Sequence, residues 1–367
     1  RMVFRAHPAG ARRCTAQMTS GALAHHIARL IEQTGPIPLS QYMALALGHP
    51  EHGYYMTRDP LGAQGDFTTA PEVSQMFGEL IGLWLGRQWR ASGMPAPFVL
   101  AELGPGRGTL MADALRAMHK VPDMVDAASV CFVETSPVLR AEQRQRVPQA
   151  EWHERLDGLP GLPLFLVANE FFDALPITQY RRDESGWHER YVDHREGRFI
   201  PVLAPIALAD DRNLTPVMRT SGKGESVEIS PASCAIAEAV SARIASHGGA
   251  GLIIDYGHAR SAPGDTLQAV RNHEFTDPFE APGEADLTAH VDFEALSRAV
   301  RSGGANPHGP VAQGVFLEAL GIGARAEALR GNANASQRKD ICTALERLTA
   351  PSQMGSLFKV LGITPRG

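Results

Sequence analysis

Cysteine is scarce in this chain. The four present, Cys14, Cys131, Cys234 and Cys342, lie far apart and form no C-x-x-C pair, so the spacing carries neither a zinc motif nor a disulfide framework. They read as small buried apolar residues of a protein kept in a reducing compartment, and no metal is expected. No stretch approaches the ~20 apolar residues of a membrane-spanning helix, so no membrane insertion is expected. An excess of positive charge is also missing. With 35 basic against 40 acidic residues and a net charge of −5, there is no general attraction to nucleic acid or anionic lipid. Partners are expected to be small molecules or proteins. Internal repeats and low-complexity tracts are absent.

What is present suffices for one large or two modest cores: 367 residues, 44% of them hydrophobic. Residues 1–19 hold Arg1, Arg5, Arg12 and Arg13 with no acid and no apolar period, and are expected to be a disordered leader, with Met18 a natural start. Residues 20–95 read as an N-terminal helical region. Leu23, Ile27, Leu30 and Ile31 mark one helix face, a short helix over 37–47 is entered through Pro36 and Pro38, and residues 62–69 form a polar loop. A long helix over 72–89 follows from Val73, Met76, Phe77, Leu80, Ile81 and Trp84.

Residues 96–367 are organised around 97–109, PFVLAELGPGRGT. An apolar run, Phe98 to Leu103, breaks into Gly104, Pro105, Gly106, Arg107 and Gly108 before a helical pattern resumes: a strand, a glycine turn and a helix start. Alternate glycines allow a tight turn and let a ligand approach main-chain N–H groups. A dinucleotide fingerprint needs a third glycine where Thr109 stands. Glu102 followed by three alternate glycines is instead the order found in S-adenosylmethionine (SAM) methyltransferases, whose cofactor carries a positively charged methionine portion. A dinucleotide site and a turn that binds nothing stay open on these residues alone.

Further apolar strands are expected over 130–134, 162–168 and 251–254, alternating with helices, and a last strand over 356–361. That alternation means a parallel sheet buried on both faces, with ligands at the carboxyl ends of its strands. Glu102, Glu134, Asn169, Glu170 and Asp255 are therefore expected to point into one crevice. Two insertions interrupt the core, antiparallel hairpins at about 177–230 and a mostly looped segment at about 257–292. Helices are expected over 293–300, 315–320 and 341–348.

Glu134, beside Thr135, closes the second strand where a nucleoside-binding sheet places an acid for ribose hydroxyls; an acid favoured by the next helix's dipole is the alternative. His153 or Trp152 could border an adenine, or be a surface histidine beside a packing tryptophan. In 169–176, NEFFDALP, Glu170 and Asp173 bracket two phenylalanines at a strand end. Together with Asn169 they suit a cationic or amino nucleophile beside a sulfonium, whereas the bland reading makes the phenylalanines core and Asp173 a turn cap. Asp66, Thr68 and Thr69 fit a lid or a helix N-cap equally.

Together, the segments 65–82 (GDFTTAPEVSQMFGELIG), 102–111 (ELGPGRGTLM), 134–137 (ETSP), 168–177 (ANEFFDALPI), 254–257 (IDYG) and 286–293 (DLTAHVDF) resemble the MidA family of SAM-dependent methyltransferases, over about residues 20–362. The resemblance implies a class I α/β fold with a Rossmann-like seven-stranded sheet. It places Gly104, Pro105, Gly106 and Gly108 on the cofactor and Glu134 on its ribose, and makes 66–69 an active-site lid. The family's mitochondrial member is a complex I assembly factor that symmetrically dimethylates an arginine of a core subunit. A protein arginine methyltransferase serving NADH dehydrogenase assembly is thus the leading expectation, in the cytoplasm of a bacterium or the mitochondrial matrix of a eukaryote. A small-molecule methyltransferase and a SAM-binding assembly chaperone without turnover are the alternatives. The Arg-rich leader is outside the family pattern, and the oligomeric state, monomer or homodimer, is open.

Overall fold

Seven extended segments build the central sheet: β1 (Phe98–Leu103), β2 (Ala128–Val133), β3 (Glu151–His153), β4 (Leu164–Asn169), β5 (Gly249–His258), β6 (Asn306–Ala312) and β7 (Phe358–Thr364). The computed structural model describes residues 21–58, 68–212 and 214–366, so residues 1–20, with the expected leader, lie outside it. The strand order is β6-β7-β5-β4-β1-β2-β3. Strands β1 to β5 pair in parallel, and β7 runs antiparallel between β5 and β6. A two-residue strand, Val291–Asp292, extends the sheet along the end of β5.

The period of two along the strands divides the core. Phe98, Leu100, Phe132, Phe165, Val167, Leu252 and Ile254 face one side, where they meet helices α3 (Gln75–Ala91) and α4 (Thr109–Met118). Val99, Ala101, Leu103, Cys131, Leu166, Ala168 and Ile253 face the other, where they meet α6 (Pro231–His247) and α7 (Phe293–Ser302). Every residue of β1 and β4 is buried, as helices on both faces require. Between them, α5 (Pro137–Arg146) links β2 to β3.

Leaving β1, the chain winds outward to β3 and returns to β4 on the other side of β1. The connections after β1 and β4 therefore diverge and leave a crevice at the strands' carboxyl ends.

The N-terminal helices α1 (Ala22–Thr34) and α2 (Leu39–Gly48) pack against both insertions: Ile27, Tyr42 and Met43 share a core with Ile177, Val192, Phe199 and Leu287. Residues 178–229 form the expected antiparallel hairpins, and Ile37–Pro38 adds an edge to them. The second insertion is more ordered than a loop. It carries a three-stranded sheet of Gln268–Arg271, Glu274–Thr276 and Asp286–Thr288. Among the described residues no helix is long and apolar enough to cross a membrane.

Three elements depart from the periodic reading. The helix expected over 72–89 is two, Ala70–Val73 and α3, broken at Ser74, whose extended backbone and hydroxyl cap α3 by accepting from Met76 N–H. Strand β6 carries Pro307 and Pro310 and little apolar surface, the composition of an edge strand and no signal from periodicity. Helix α6 is apolar on no single face, because its buried side carries Ser233 and Ser241 beside Ala237, Val240 and Ile244 while alanines such as Ala235, Ala239 and Ala242 stand exposed on the other.

Candidate active site

Strand β1 ends in three alternate left-handed glycines, Gly104 (φ 57°), Gly106 (φ 54°) and Gly108 (φ 81°). A side chain at Gly104 would place its Cβ 2.7 Å from Cδ2 of Phe171, so the glycine turn and the loop after β4 touch only because that Cβ is missing. Gln143 Nε2 of α5 holds the turn by donating to Gly106 O at 2.7 Å.

Around this turn lies a cavity of about 260 Å³. Glu102, Gly104, Pro105 and Gly106 line it from β1, Glu134 and Thr135 from β2, and Asn169, Glu170 and Phe171 from β4. Tyr55, Thr69 and Glu72 close it from the N-terminal region. The break at Ser74 frees Glu72 to meet the turn: its Oε1 accepts from Thr109 Oγ1 at 2.5 Å, and Arg107 lies 3.8 Å from its Oε2. Tyr55 donates to Asp286 Oδ1 at 2.7 Å, and its carbonyl accepts from Ser136 Oγ at 2.6 Å. Tyr55 has no sequence signal of its own, and Glu72, although inside the 65–82 motif, reads there only as a helix start; both come from a segment well before the glycine turn.

The carboxylates differ in what holds them. Burial pushes Glu102 up to about 8, against the Met111 backbone N–H that favours its charge; its Oε2 is buried without a partner. Asn169 Oδ1 is orphaned in the same way. Glu134 is raised by burial, against hydrogen bonds that favour its charge. Its Oε1 accepts from the N–H groups of Thr135 (2.8 Å) and Ser136 (2.7 Å), and its Oε2 from Gln143 Nε2 (3.2 Å). Of about four acceptor positions on a carboxylate, roughly one remains for a ligand hydroxyl.

Glu170 has left-handed backbone (φ 50°), a conformation costing a non-glycine residue on the order of 1–3 kcal/mol and concentrated at functional sites. Its Oε1 accepts from Ala70 N–H at 2.9 Å and Asn169 Nδ2 at 3.1 Å. Burial brings it to about 7, against the Ala70 N–H and assisted by the charge of Asp173.

Asp255 does not point into the crevice. It is fully buried, and its Oδ2 accepts from three successive N–H groups, Phe171 (3.2 Å), Phe172 (2.9 Å) and Asp173 (3.2 Å). The loop after β4 leaves these donors without sheet partners, and a carboxylate on the neighbouring strand satisfies all three. Asp173 is also outside the cavity lining. Burial pushes it up to about 6, while the Tyr256 hydroxyl and its own and Ala174's backbone N–H groups favour its charge.

His153 and Trp152 do not line the cavity either. Register sends Trp152 to the α5 side, where its Nε1 donates to Gln143 at 2.8 Å, and His153 to the opposite face. Gly108 is the N-cap of α4, just behind the lining. The carbonyl of Thr68 accepts from Arg347 Nη2 at 3.3 Å, and Thr69 takes its place at the cavity. Asp66 lies outside the described residues.

A family model of S-adenosyl-L-methionine-dependent methyltransferases matches residues 80–311. The chain belongs to this family. It is 38% identical over 95% of its length, and 86% of the relative's, to the mitochondrial protein arginine methyltransferase NDUFAF7 homolog of Drosophila melanogaster. The Homo sapiens protein arginine methyltransferase NDUFAF7, mitochondrial, is 35% identical over 93% of this chain and 82% of its own. A crystal structure from Burkholderia thailandensis, bound to S-adenosyl-homocysteine, superposes with a TM-score of 0.83 at 30% identity, covering 94% of this chain and 92% of that one.

SAM is the cofactor of the family, and the cavity of this methyltransferase suits it: two buried oxygens without donors, on Glu102 and Asn169, await a ligand rich in N–H groups and positive charge. A cationic ligand selects the charged form of Glu102, which sits at about 8 in the free protein. Binding through this carboxylate below that pH would release a proton, so SAM affinity is expected to rise by up to about tenfold per pH unit toward pH ~8. Calorimetry in buffers of different ionisation enthalpy measures the release; a flat affinity with no proton release would remove Glu102 from the contact.

A second expectation concerns Glu134. Glu134→Gln keeps an oxygen for the Thr135 and Ser136 N–H groups, whereas Glu134→Ala would orphan both and confound folding with binding. The new amide nitrogen would face the Gln143 Nε2 donor in place of Oε2, so the glutamine variant is expected to stay folded with a slightly lowered melting temperature and to lose about 1.5–3 kcal/mol of SAM affinity. Unchanged binding would leave Glu134 as the organiser of its own turn and nothing more.

Proposed function

We propose that this methyltransferase acts on proteins, transferring a methyl group from SAM to an arginine ω-nitrogen of a respiratory complex I core subunit, with symmetric dimethylation as the end state. The observation that carries the reading is Glu170, a strained carboxylate tuned to about 7 on the wall of the cavity. The printed names of the curated relatives, protein arginine methyltransferases, support it.

When bound, SAM would supply a methyl group on a sulfonium, with a neutral thioether as the leaving group. Glu102 and Asn169 would hold the cationic portion of the cofactor through their unpartnered oxygens, and Glu134 would accept from its ribose. A guanidinium spreads its charge over three nitrogens and is a poor nucleophile. Glu170, held by Ala70 and Asn169, accepts from the nitrogens that do not react and concentrates the lone pair on the one that does. Near neutrality the same carboxylate can take the proton which that nitrogen loses. Asp173 acts through the loop it shares with Glu170. Phe171, wedged against Gly104, excludes water beside the reacting atoms.

On this reading the protein works where complex I is assembled, the matrix in a eukaryote or the cytoplasm in a bacterium. The test is incubation of the purified protein with SAM and a recombinant complex I core subunit, followed by intact-mass measurement and peptide mapping. Methyl increments on one arginine are expected. A methylated small molecule in place of the protein, or SAM binding without any transfer, would replace this reading by one of the two alternatives.

A further inference from the structure

Cys131, Glu151 and His153 form a cluster behind the sheet edge that the methyl-transfer site does not use. Cys131 lies on β2, and Glu151 and His153 lie on β3. The parallel register pairs Cys131 with Glu151 and Val133 with His153, so the three side chains emerge on one face. Their ligand atoms, one sulfur, one ring nitrogen and one carboxylate oxygen, lie within 4.8 Å of one another. His153 Nε2 is buried and has no hydrogen-bond partner, although a buried imidazole nitrogen ordinarily has one. Cys131 is fully buried, His153 half-buried and Glu151 exposed, which leaves the cluster reachable from solvent along the flexible member.

We propose that Cys131, His153 and Glu151 bind a divalent zinc-like cation that staples the short edge strand β3 to β2. Thiolate, imidazole and carboxylate are all zinc ligands, and three of them with a water complete a tetrahedron. Zinc–sulfur and zinc–nitrogen bonds of about 2.3 and 2.1 Å put neighbouring ligand atoms about 3.5 Å apart, so a small rotation of the exposed Glu151 closes the set. Two anionic ligands balance the charge of the dication. Binding replaces the thiol proton of Cys131, which leaves to solvent.

The staple has something to hold. Strand β3 has three residues, and the Glu134 N–H donates to the His153 carbonyl at 2.9 Å. A metal on His153 would therefore stiffen the backbone that carries Glu134.

The metal-free full-length protein should be titrated with Zn2+ and, separately, with Co2+. One equivalent of Zn2+ is expected to bind and to raise the melting temperature, and Co2+ to give a thiolate-to-metal charge-transfer absorption. Cys131→Ser should abolish that absorption, and His153→Gln and Glu151→Gln should each weaken Zn2+ binding at least ~10-fold. Circular dichroism of each variant in its metal-free form reports folding independently of the metal. If Cys131→Ser unfolds, the two β3 variants decide. No saturable metal binding, an absorption that survives Cys131→Ser, or Zn2+ affinity unmoved by both β3 variants would overturn the assignment, and none of these outcomes bears on methyl transfer.

Discussion

Glu170→Gln is expected to lower arginine methylation by several hundredfold while leaving SAM affinity within about twofold of the parent. The glutamine oxygen can still accept from Ala70 N–H and Asn169 Nδ2, whose present partner is Glu170 Oε1, so the loop keeps its shape. Only the charge is removed. Loss of one group aimed at developing charge costs about 10²–10³ in turnover, and the effect should fall on kcat because the cofactor has its own contacts. In the parent, the rate should rise with pH through about 7 as Glu170 ionises, and that inflection should vanish in the variant. Asp173→Asn should act in the same direction but more weakly, since Asp173 stands behind the lining. The pair should be less than additive, because Asp173 is expected to act only through the loop that carries Glu170. Normal methylation by Glu170→Gln would sink the guanidinium-holding role.

Gly106→Val should abolish detectable binding of SAM and of its demethylated product. Gly106 sits at φ 54°, a region that a β-branched residue adopts only as an outlier, and its carbonyl is fixed by Gln143. The turn must therefore move, carrying Pro105 and Gly104 with it, and the contact of Gly104 with Phe171 transmits the shift to the β4 loop. The core should survive, since neither sheet face includes the turn. Isothermal calorimetry of parent and variant checks this, with NADH as the control expected to be silent in both. A variant that binds SAM as the parent does, or a parent that binds NADH in its place, would overturn the assignment of the glycine turn.

The glycine turn after β1, the alternation of apolar strands with helices and the hairpins of the first insertion were written in local order along the chain. Periodicity and left-handed glycines are properties of a few neighbouring residues, so the sequence by itself determined them, and with the ordered motifs it determined the methyltransferase family. Where a side chain faces was decided elsewhere. Asp255 and Glu134 both close apolar strands, yet Asp255 is consumed by three N–H groups of a loop 82 to 84 residues away, while Glu134 reaches the cavity. Neither His153 nor Trp152 reached the crevice, because the β2–β3 register, set by long-range pairing, sent Trp152 toward α5 and His153 to the opposite face of the sheet. Ser74 broke a pattern that reads as one helix, because a cap and a helix interior satisfy the same apolar spacing. The scattered cysteines excluded a zinc motif made by spacing within one segment. Only the pairing of two strands 20 residues apart could bring Cys131 beside Glu151 and His153, since contacts between distant segments are fixed by the packing of the whole sheet and leave no period in the chain.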